Sequence, residues 1–319
     1  MDRNLALEVV RVTEAGALAA ARLMGRGDEI AVDKAASEAI RRAFRSIPIQ
    51  GRIVIGEGAP DEDVPLYEGE EIGSGQGSRL DVAVDAVEGD AACASGGPNA
   101  LSVVAISDAE DGGFVRCPRC YMDKLAVGPD GREAVEIDRS PGENVKALAE
   151  ARGMYVEDLT VAVLDRPRHE KLIHEIRAAG ARIKLIADGD LSAALGTLRD
   201  ESGIDLALGV GGASQGVLAA AALVCAGGKF QGRFTATSGF QAERLRAAGI
   251  TDFARKYEAT DLARGNLMFA ATGVTSGTLL EGVRFFRGGA TTNSIVMRSK
   301  TRTFRFIQAV HHFDFKPEY

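Results

Sequence analysis

Two carboxylates three positions apart, Asp85 and Glu88, close the alternating stretch Leu80–Asp85 and are followed at once by Gly89. Alternation of that kind reads as a half-buried strand, so both acids are aimed into the turn that ends it. Oxygen donors so placed can hold a divalent cation, and the glycine admits an anionic substrate close to the backbone. Two more acids meet structural termini: Asp33 precedes a helical pattern, and Glu57 follows a strand, between Gly56 and Gly58. Ligands gather beyond the carboxyl ends of parallel strands, so Glu57, Asp85 and Glu88 can converge. Hard oxygen donors suit Mg²⁺ or Mn²⁺, which bridge phosphate oxygens and lower the pKa of a bound water. Plainer roles stay open for two of them, Asp33 as an N-cap and Glu57 as a solvated turn residue. Asp61, Glu62 and Asp63 read as a solvated acidic loop.

A second group of residues is suited to anions. Asp165-Arg166-Pro167-Arg168-His169 follows a strand and opens a helix, and two guanidinium groups near helix-start amides form a phosphate cradle. His169 can assist this cradle or, as the plainer reading, be an exposed first-turn histidine. Asp188-Gly189-Asp190 follows the next strand, where its carboxylates can bind sugar hydroxyls or Asp190 can cap a helix. Gly209-Val-Gly211-Gly212-Ala-Ser-Gln215-Gly216 follows a third strand and gives close backbone access. A dinucleotide fingerprint would need an acid at the end of the following strand, and none is convincing. Arg-x-Arg, Asp-Gly-Asp and Gly-Gly at three successive strand ends favour a polyhydroxylated phosphate ester over a nucleotide.

Composition narrows the class. The 319 residues are 45% hydrophobic, enough for a sizeable core and for two closely associated domains. A net charge of -7 with interspersed signs argues against a nucleic-acid surface. No apolar run is long enough to span a bilayer, and Met1–Leu5 lacks a signal-peptide layout, so a cytoplasmic protein without a membrane partner is expected. Of four cysteines, Cys117 and Cys120 form a single CxxC, more consistent with reduced thiols than with a redox or metal site.

These residues need a frame. Apolar periodicity marks helices over 4–24 (Leu5, Val9, Val12, Leu23) and 34–45. Strands are expected at Arg52–Ile55, Leu80–Asp85, Leu101–Ile106, Lys124–Val127, Leu159–Leu164, Arg182–Ala187, Asp205–Val210, Asn266–Ala271, Ser294–Arg298 and Thr303–Ala309, with helices from Arg168, from Asp190 and over 215–226. Short strands separated by helices predict parallel pairing with helices on both faces. A boundary near 140–155 would divide a metal-binding half, 1–150, from a sugar-phosphate-binding half, 151–319. The carboxylates of the first third would then meet around a cation, facing a basic pocket built by the second half.

With these motifs in hand, the chain resembles the class II fructose-1,6-bisphosphatases, including the cyanobacterial-type fructose-bisphosphatase/sedoheptulose-bisphosphatases. Gly25-Arg-Gly-Asp28, Ile53-Val-Ile-Gly-Glu57-Gly58, Pro65-Leu-Tyr67, Asp81-Val-Ala-Val-Asp85, Asn99-Ala-Leu101 and Tyr121-Met-Asp-Lys124 carry the likeness. So do Arg166–His169, Asp188–Asp190, Gly211-Gly212, Gly282-Val-Arg-Phe285 and Gly288-Gly-Ala-Thr-Thr292. The resemblance implies the layered α/β fold of the lithium-sensitive, inositol monophosphatase-like superfamily, and a homodimer or homotetramer. It also implies Mg²⁺- or Mn²⁺-assisted hydrolysis of a sugar 1-phosphate. Carried over by motif, Asp33, Glu57, Asp85, Glu88 and Gln215 are the metal positions. Glu88, Gly89 and Asp90 border the reacting phosphate, with Asp90, Glu57 and Glu88 in the catalytic group. Tyr121, Arg166, Pro167, Arg168, Asp188, Gly189, Asp190 and Gly212 bind the remainder of the substrate.

The departures are specific. Asp90 stands where the family carries a threonine whose hydroxyl helps position the attacking water. A carboxylate there can serve as a base or a ligand, but it repels a phosphate unless a cation intervenes. Gln215 stands where a metal-binding glutamate is usual, and a neutral amide is a weaker ligand for a hard cation. Ile30 and Lys34 also replace smaller or polar residues around Asp33, and Lys34 either adds charge to the metal site or points to solvent. Three readings follow: an active sugar-bisphosphate phosphatase, a diverged paralogue acting on another phosphorylated sugar or cyclitol, and a non-catalytic sugar-phosphate-binding homologue.

Overall fold

The computed structural model describes residues 4–315 apart from 60, 61, 63, 109 and 111, so Asp61, Asp63 and Met1–Arg3 lie outside the described residues. The chain opens with α1 (Leu5–Ala21) and α2 (Glu29–Phe44). Alanine-rich α1 has high helix propensity, and it buries Leu5, Val9 and Val12 as their spacing predicts. The second helix starts five residues earlier than its apolar periodicity indicates. Asp28 caps it, its side chain accepting from the Ala31 N–H at 2.9 Å, so Asp33 lies inside the helix and is not its N-cap.

Next come β1 (Ile49–Ile55), β2 (Glu71–Ile72), β3 (Ser78–Glu88), α3 (Asp90–Ser95), β4 (Leu101–Ser107) and β5 (Tyr121–Val127). From there helices and strands alternate: α4 (Pro141–Arg152), β6 (Thr160–Leu164), α5 (Glu170–Ala179), β7 (Arg182–Ile186), α6 (Asp190–Gly196), β8 (Leu206–Gly212) and α7 (Ala213–Ala226). The remainder is β9 (Lys229–Thr235), α8 (Gly239–Ala247), β10 (Tyr257–Glu258), α9 (Ala259–Leu262), β11 (Leu267–Gly273), β12 (Arg284–Phe286), β13 (Gly289–Arg298) and β14 (Thr303–His312). No helix among the described residues is long and apolar enough to cross a membrane.

Two compact units result, Met1–Phe114 with Arg264–Tyr319, and Val115–Ala263. The division differs from an expected boundary near residue 150, because long-range pairing overrides chain order. Strand β5 joins β8 and β9, whereas β11 returns to pair with β4.

The first unit holds an eight-stranded sheet ordered β12-β13-β11-β4-β3-β1-β2, with β14 also on β13. Within it β1 and β3 are parallel; β3–β4, β4–β11, β11–β13 and β13–β14 are antiparallel. The parallel pairing expected from the alternating strands of the second half does not extend to most of this sheet. Its central strands β4 and β11 are buried on both faces, so the period-2 pattern that distinguishes the two arrangements is absent there. Helix α1 packs on β4, β11 and β13 and on α2, around a core that includes Phe44, Ile40, Val104 and Met268.

The second unit holds a six-stranded sheet ordered β10-β9-β5-β8-β6-β7. Here β8, β6 and β7 are parallel and β5, β9 and β10 antiparallel. Alternation assigns the faces. Leu125, Val127, Val161, Val163 and Leu206 join Val145 and Leu148 of α4 and Ile173 and Ile176 of α5 in one core. The intervening Lys124, Ala126, Ala162 and Ala207 turn to the opposite face and, with residues of α6 and α7, line a cavity of about 30 Å³. Alanine at those positions lets α6 and α7 approach the sheet closely.

Candidate active site

In the first unit, the sheet and α2 bring three of the expected acids into mutual range. Glu57 lies two residues beyond β1, Asp33 on the second turn of α2, and Asp85 within β3. The register between β3 and β4 slips between Asp85 and Glu88, a bulge of the kind that re-aims side chains. Asp85 and Glu88 are buried, at 8% and 3% exposure. The Ala86 N–H in that bulge donates to Glu57 Oε1 at 2.5 Å. Desolvation first, then repulsion from Asp33 and Asp85 and a hydrogen bond shared with Asp33, hold the Glu57 carboxyl well above the usual carboxylate range; the Ala86 N–H only partly opposes them. Although its residue surface is half-buried, its carboxyl behaves as a group withdrawn from water.

The Glu57 loop is held by contacts that the sequence does not announce. Leu66 adopts φ 64, a left-handed conformation unfavourable for a branched side chain. Its carbonyl accepts from the Glu57 N–H at 3.1 Å, and its own N–H donates to Glu70 Oε2 at 2.6 Å. Glu70 is in turn paired with Arg41 at 2.5 Å. A side chain on Gly56 would place Cβ 2.0 Å from the Leu66 carbonyl oxygen, so the Gly-Glu-Gly spacing serves close backbone packing.

Gly89, at φ 85, is the left-handed residue between β3 and α3. Asp90 follows as the first residue of α3, half-buried, its Oδ1 accepting from the Ala91 N–H at 2.7 Å. Lys34 is exposed, which assigns it to solvent, and Ile30 is exposed as well. Among the described residues no three His, Cys, Asp or Glu side chains form a ready-made cation cage. The donor set nonetheless fits a hard divalent cation: it is all carboxylate, and its members repel one another.

The second unit carries the residues expected to bind anions. Arg166 is half-buried, its Nη1 donating to the Asp165 carbonyl at 3.1 Å. Exposed Pro167 opens a 3-10 turn that ends at His169. Exposed Arg168 donates from Nε and Nη2 to the Val210 carbonyl at 3.0 and 2.8 Å, and its guanidinium lies 5.2 Å from the centre of the Tyr121 ring. His169 is 2% exposed, which corrects the expectation of a solvent-facing histidine. Burial pushes its pKa below 6.5, against the Leu164 hydrogen bond that would raise it.

Asp188 Oδ1 accepts from the Gly189 N–H at 2.9 Å, and Gly189 is left-handed at φ 86. Asp190 is the first residue of α6 rather than its cap, and it is paired with Lys124 at 2.6 Å. Lys124 Nζ also donates to the Gly212 carbonyl at 2.7 Å. No local motif marks Lys124 as functional, although its place in an alternating strand puts it on the same face as Ala126. A Cβ on Gly211 would fall 1.7 Å from Asp190 Oδ2, so glycine is required there by the ion pair. The glycine-rich stretch is not a loop, since β8 runs to Gly212 and α7 begins at Ala213. Gln215 folds back on this junction. Its Oε1 accepts from the Ser214 hydroxyl at 2.9 Å and would lie 2.0 Å from a Cβ on Gly212. The CxxC pair is unremarkable: burial pushes the Cys120 thiol up to about 11, which keeps it protonated and unreactive at neutral pH.

Comparison with known proteins gives a consistent result. The family model described as bacterial fructose-1,6-bisphosphatase, glpX-encoded, matches residues 3–311. The chain is 44% identical, across 98% of both chains, to a protein of Synechococcus elongatus named D-fructose 1,6-bisphosphatase class 2/sedoheptulose 1,7-bisphosphatase. A relative of the same name from Synechococcus sp. (strain JA-2-3B'a(2-13)) is also 44% identical, across 98% of this chain and 97% of its own.

Proposed function

Because the chain belongs to the bacterial, glpX-encoded fructose-1,6-bisphosphatase family, we propose that it hydrolyses the 1-phosphate of fructose 1,6-bisphosphate or sedoheptulose 1,7-bisphosphate with Mg²⁺ or Mn²⁺. The observation that carries this reading is the pressure of Asp33 and Asp85 on Glu57, a cluster of like charges that a divalent cation would relieve. In this reading Asp33, Glu57, Asp85 and Glu88 hold the metal. A bound cation supplies charge neutralisation at the phosphoryl oxygens and lowers the pKa of an attacking water.

The chain's own residues have separate tasks. Left-handed Gly89 removes the side chain that would keep a phosphate from the backbone. Arg166 and Arg168 supply fixed N–H donors to the second phosphate, and Tyr121 supports Arg168 from its ring face. Asp188 and Asp190 accept from sugar hydroxyls, and Pro167, Gly189 and Gly212 shape the backbone around them. Asp90 takes the place of the family threonine beside the attacking water, where its carboxylate serves less well than a hydroxyl. The protein acts in the cytoplasm as a homodimer or homotetramer, which light scattering on the purified chain would test.

A second reading, a paralogue for another phosphorylated sugar or cyclitol, draws on Asp90 and on the Gln215 amide turned back to Ser214 and Gly212. Phosphate release from fructose 1,6-bisphosphate and from a panel of sugar phosphates decides between the two. Turnover of the bisphosphate supports the first. Turnover of another ester alone supports the second, and binding without release supports a non-catalytic role. The variants Asp90→Thr and Gln215→Glu, combined, are expected to raise bisphosphatase activity; no gain from either or both would show that these positions do not limit it.

A further inference from the structure

We propose that His169 is a positioning residue for anion recognition: by accepting the Val210 N–H, it fixes the carbonyl that holds Arg168 for a phosphate oxygen. The inference rests on the reading of Arg168 as a substrate-phosphate ligand. It begins with a gap in the second unit's sheet. Strands β6 and β8 pair only at Val161–Leu206 and Ala162–Ala207. Past that point one imidazole bridges the two strands, with Nδ1 2.7 Å from the Leu164 carbonyl and Nε2 2.8 Å from the Val210 nitrogen.

The partners determine the tautomer. A carbonyl can only accept, so Nδ1 carries the proton; a backbone N–H can only donate, so Nε2 is bare. A protonated ring would set N–H against N–H and release Val210. Gly209, at φ 127, leaves room for the ring, since a Cβ there would lie 3.0 Å from Nε2. One residue further on, the Val210 carbonyl takes two of the five N–H donors of Arg168, and Tyr121 stacks beneath the guanidinium. Three donors remain for an oxyanion. At 2% exposure His169 is withdrawn from any ligand, so its effect passes through Val210 and Arg168.

The charges acting on His169 come from three elements. Arg168 on its own turn disfavours protonation, whereas Asp123 on β5 and Asp190 on α6 favour it. Lys124 pairs with Asp190, and Arg233 acts on Asp123. Burial outweighs the two carboxylates, so the neutral ring persists to a pH below 6.5 and is lost as the pH falls further.

The test is a double-mutant cycle read by inorganic phosphate binding in calorimetry and, with turnover, by KM for fructose 1,6-bisphosphate. His169→Ala is expected to weaken phosphate and raise KM about tenfold, the loss of one buried hydrogen-bonded link, with a smaller change in kcat. Added to Arg168→Ala, it is expected to cost under about twofold, because the group it positions is gone. His169→Gln, whose amide oxygen can accept from Val210, recovers most of the affinity. The ratio of wild-type to Gln-variant KM should climb below pH 6.5, a comparison in which titration of the substrate cancels. Additive losses, or unchanged phosphate binding in His169→Ala, would overturn the proposal. If His169→Ala does not fold, a pH-independent ratio for His169→Gln does the same. Wild type that binds phosphate without hydrolysing any bisphosphate would refute the proposed activity alone. Wild type that binds no phosphate would remove this proposal too.

Discussion

Replacing Lys124 by Met tests whether the ion pair in the second unit is a buried one in energetic terms. Lys124 and Asp190 side chains are 10% and 20% exposed, and Nζ donates both to Asp190 and to the Gly212 carbonyl. Removing the ammonium leaves a carboxylate and a carbonyl facing a largely apolar cavity lined by Leu191, Ala126 and Phe230. Breaking a buried pair from one side costs about 3–5 kcal/mol. Asp190 retains some contact with water, which favours the low end of that range, and the orphaned carbonyl adds about 1 kcal/mol. The expected total is about 4 kcal/mol. The chain contains no tryptophan, so urea unfolding is best followed by circular dichroism. The double variant Lys124→Met, Asp190→Leu strands neither charge and should cost less than half as much as the single change. A loss below about 1 kcal/mol for Lys124→Met would refute the reasoning, because that is the behaviour of a solvent-screened surface pair.

Gly56→Ala is expected to destabilise by about 3 kcal/mol in the same assay, because its Cβ meets a backbone oxygen that cannot swing aside. Burial alone would raise the Glu136 pKa, but hydrogen bonds from Lys229, Gln231 and Lys256 bring it down to about 2. A depressed carboxylate stabilises above its unfolded value of 4.5 and loses that effect as pH falls toward 2. The stability gap between wild type and Glu136→Gln, about 1 kcal/mol after solvent screening, should therefore be full at pH 7 and vanish near pH 2. Mn²⁺ or Mg²⁺ at a hundredfold its dissociation constant should stabilise the protein by about 2.7 kcal/mol in thermal melts. Chelator should reverse this, and Glu57→Gln should abolish it; an unchanged melt would argue against a metal at the acidic cluster.

Much of the candidate site is visible in local sequence because its parts are punctuation. Gly89 and Gly189 follow strands where the backbone must turn left-handed, and Asp90 and Asp190 begin helices immediately after them. The likeness to sugar bisphosphatases is carried by these same short motifs. The burial of His169 is not legible locally, for a physical reason. A polar residue in a first helical turn is usually solvated, and only the gap between β6 and β8 past Ala162 and Ala207 makes a buried site for it. Lys124 carries no local mark of its role because an alternating strand does not reveal which face meets α6 and α7.

By itself the sequence determined the helical periods of α1 and α2, the positions of most strands, the acidic and basic residue sets and the family, all of which depend on neighbours within a few positions. Tertiary structure alone decided that β11 pairs with β4, that the first sheet is largely antiparallel, and that the units divide near residues 114 and 263. It also decided that Asp33 and Asp85 press on Glu57. Strand pairing depends on partners far along the chain, and a strand buried on both faces carries no local mark of its neighbour's direction.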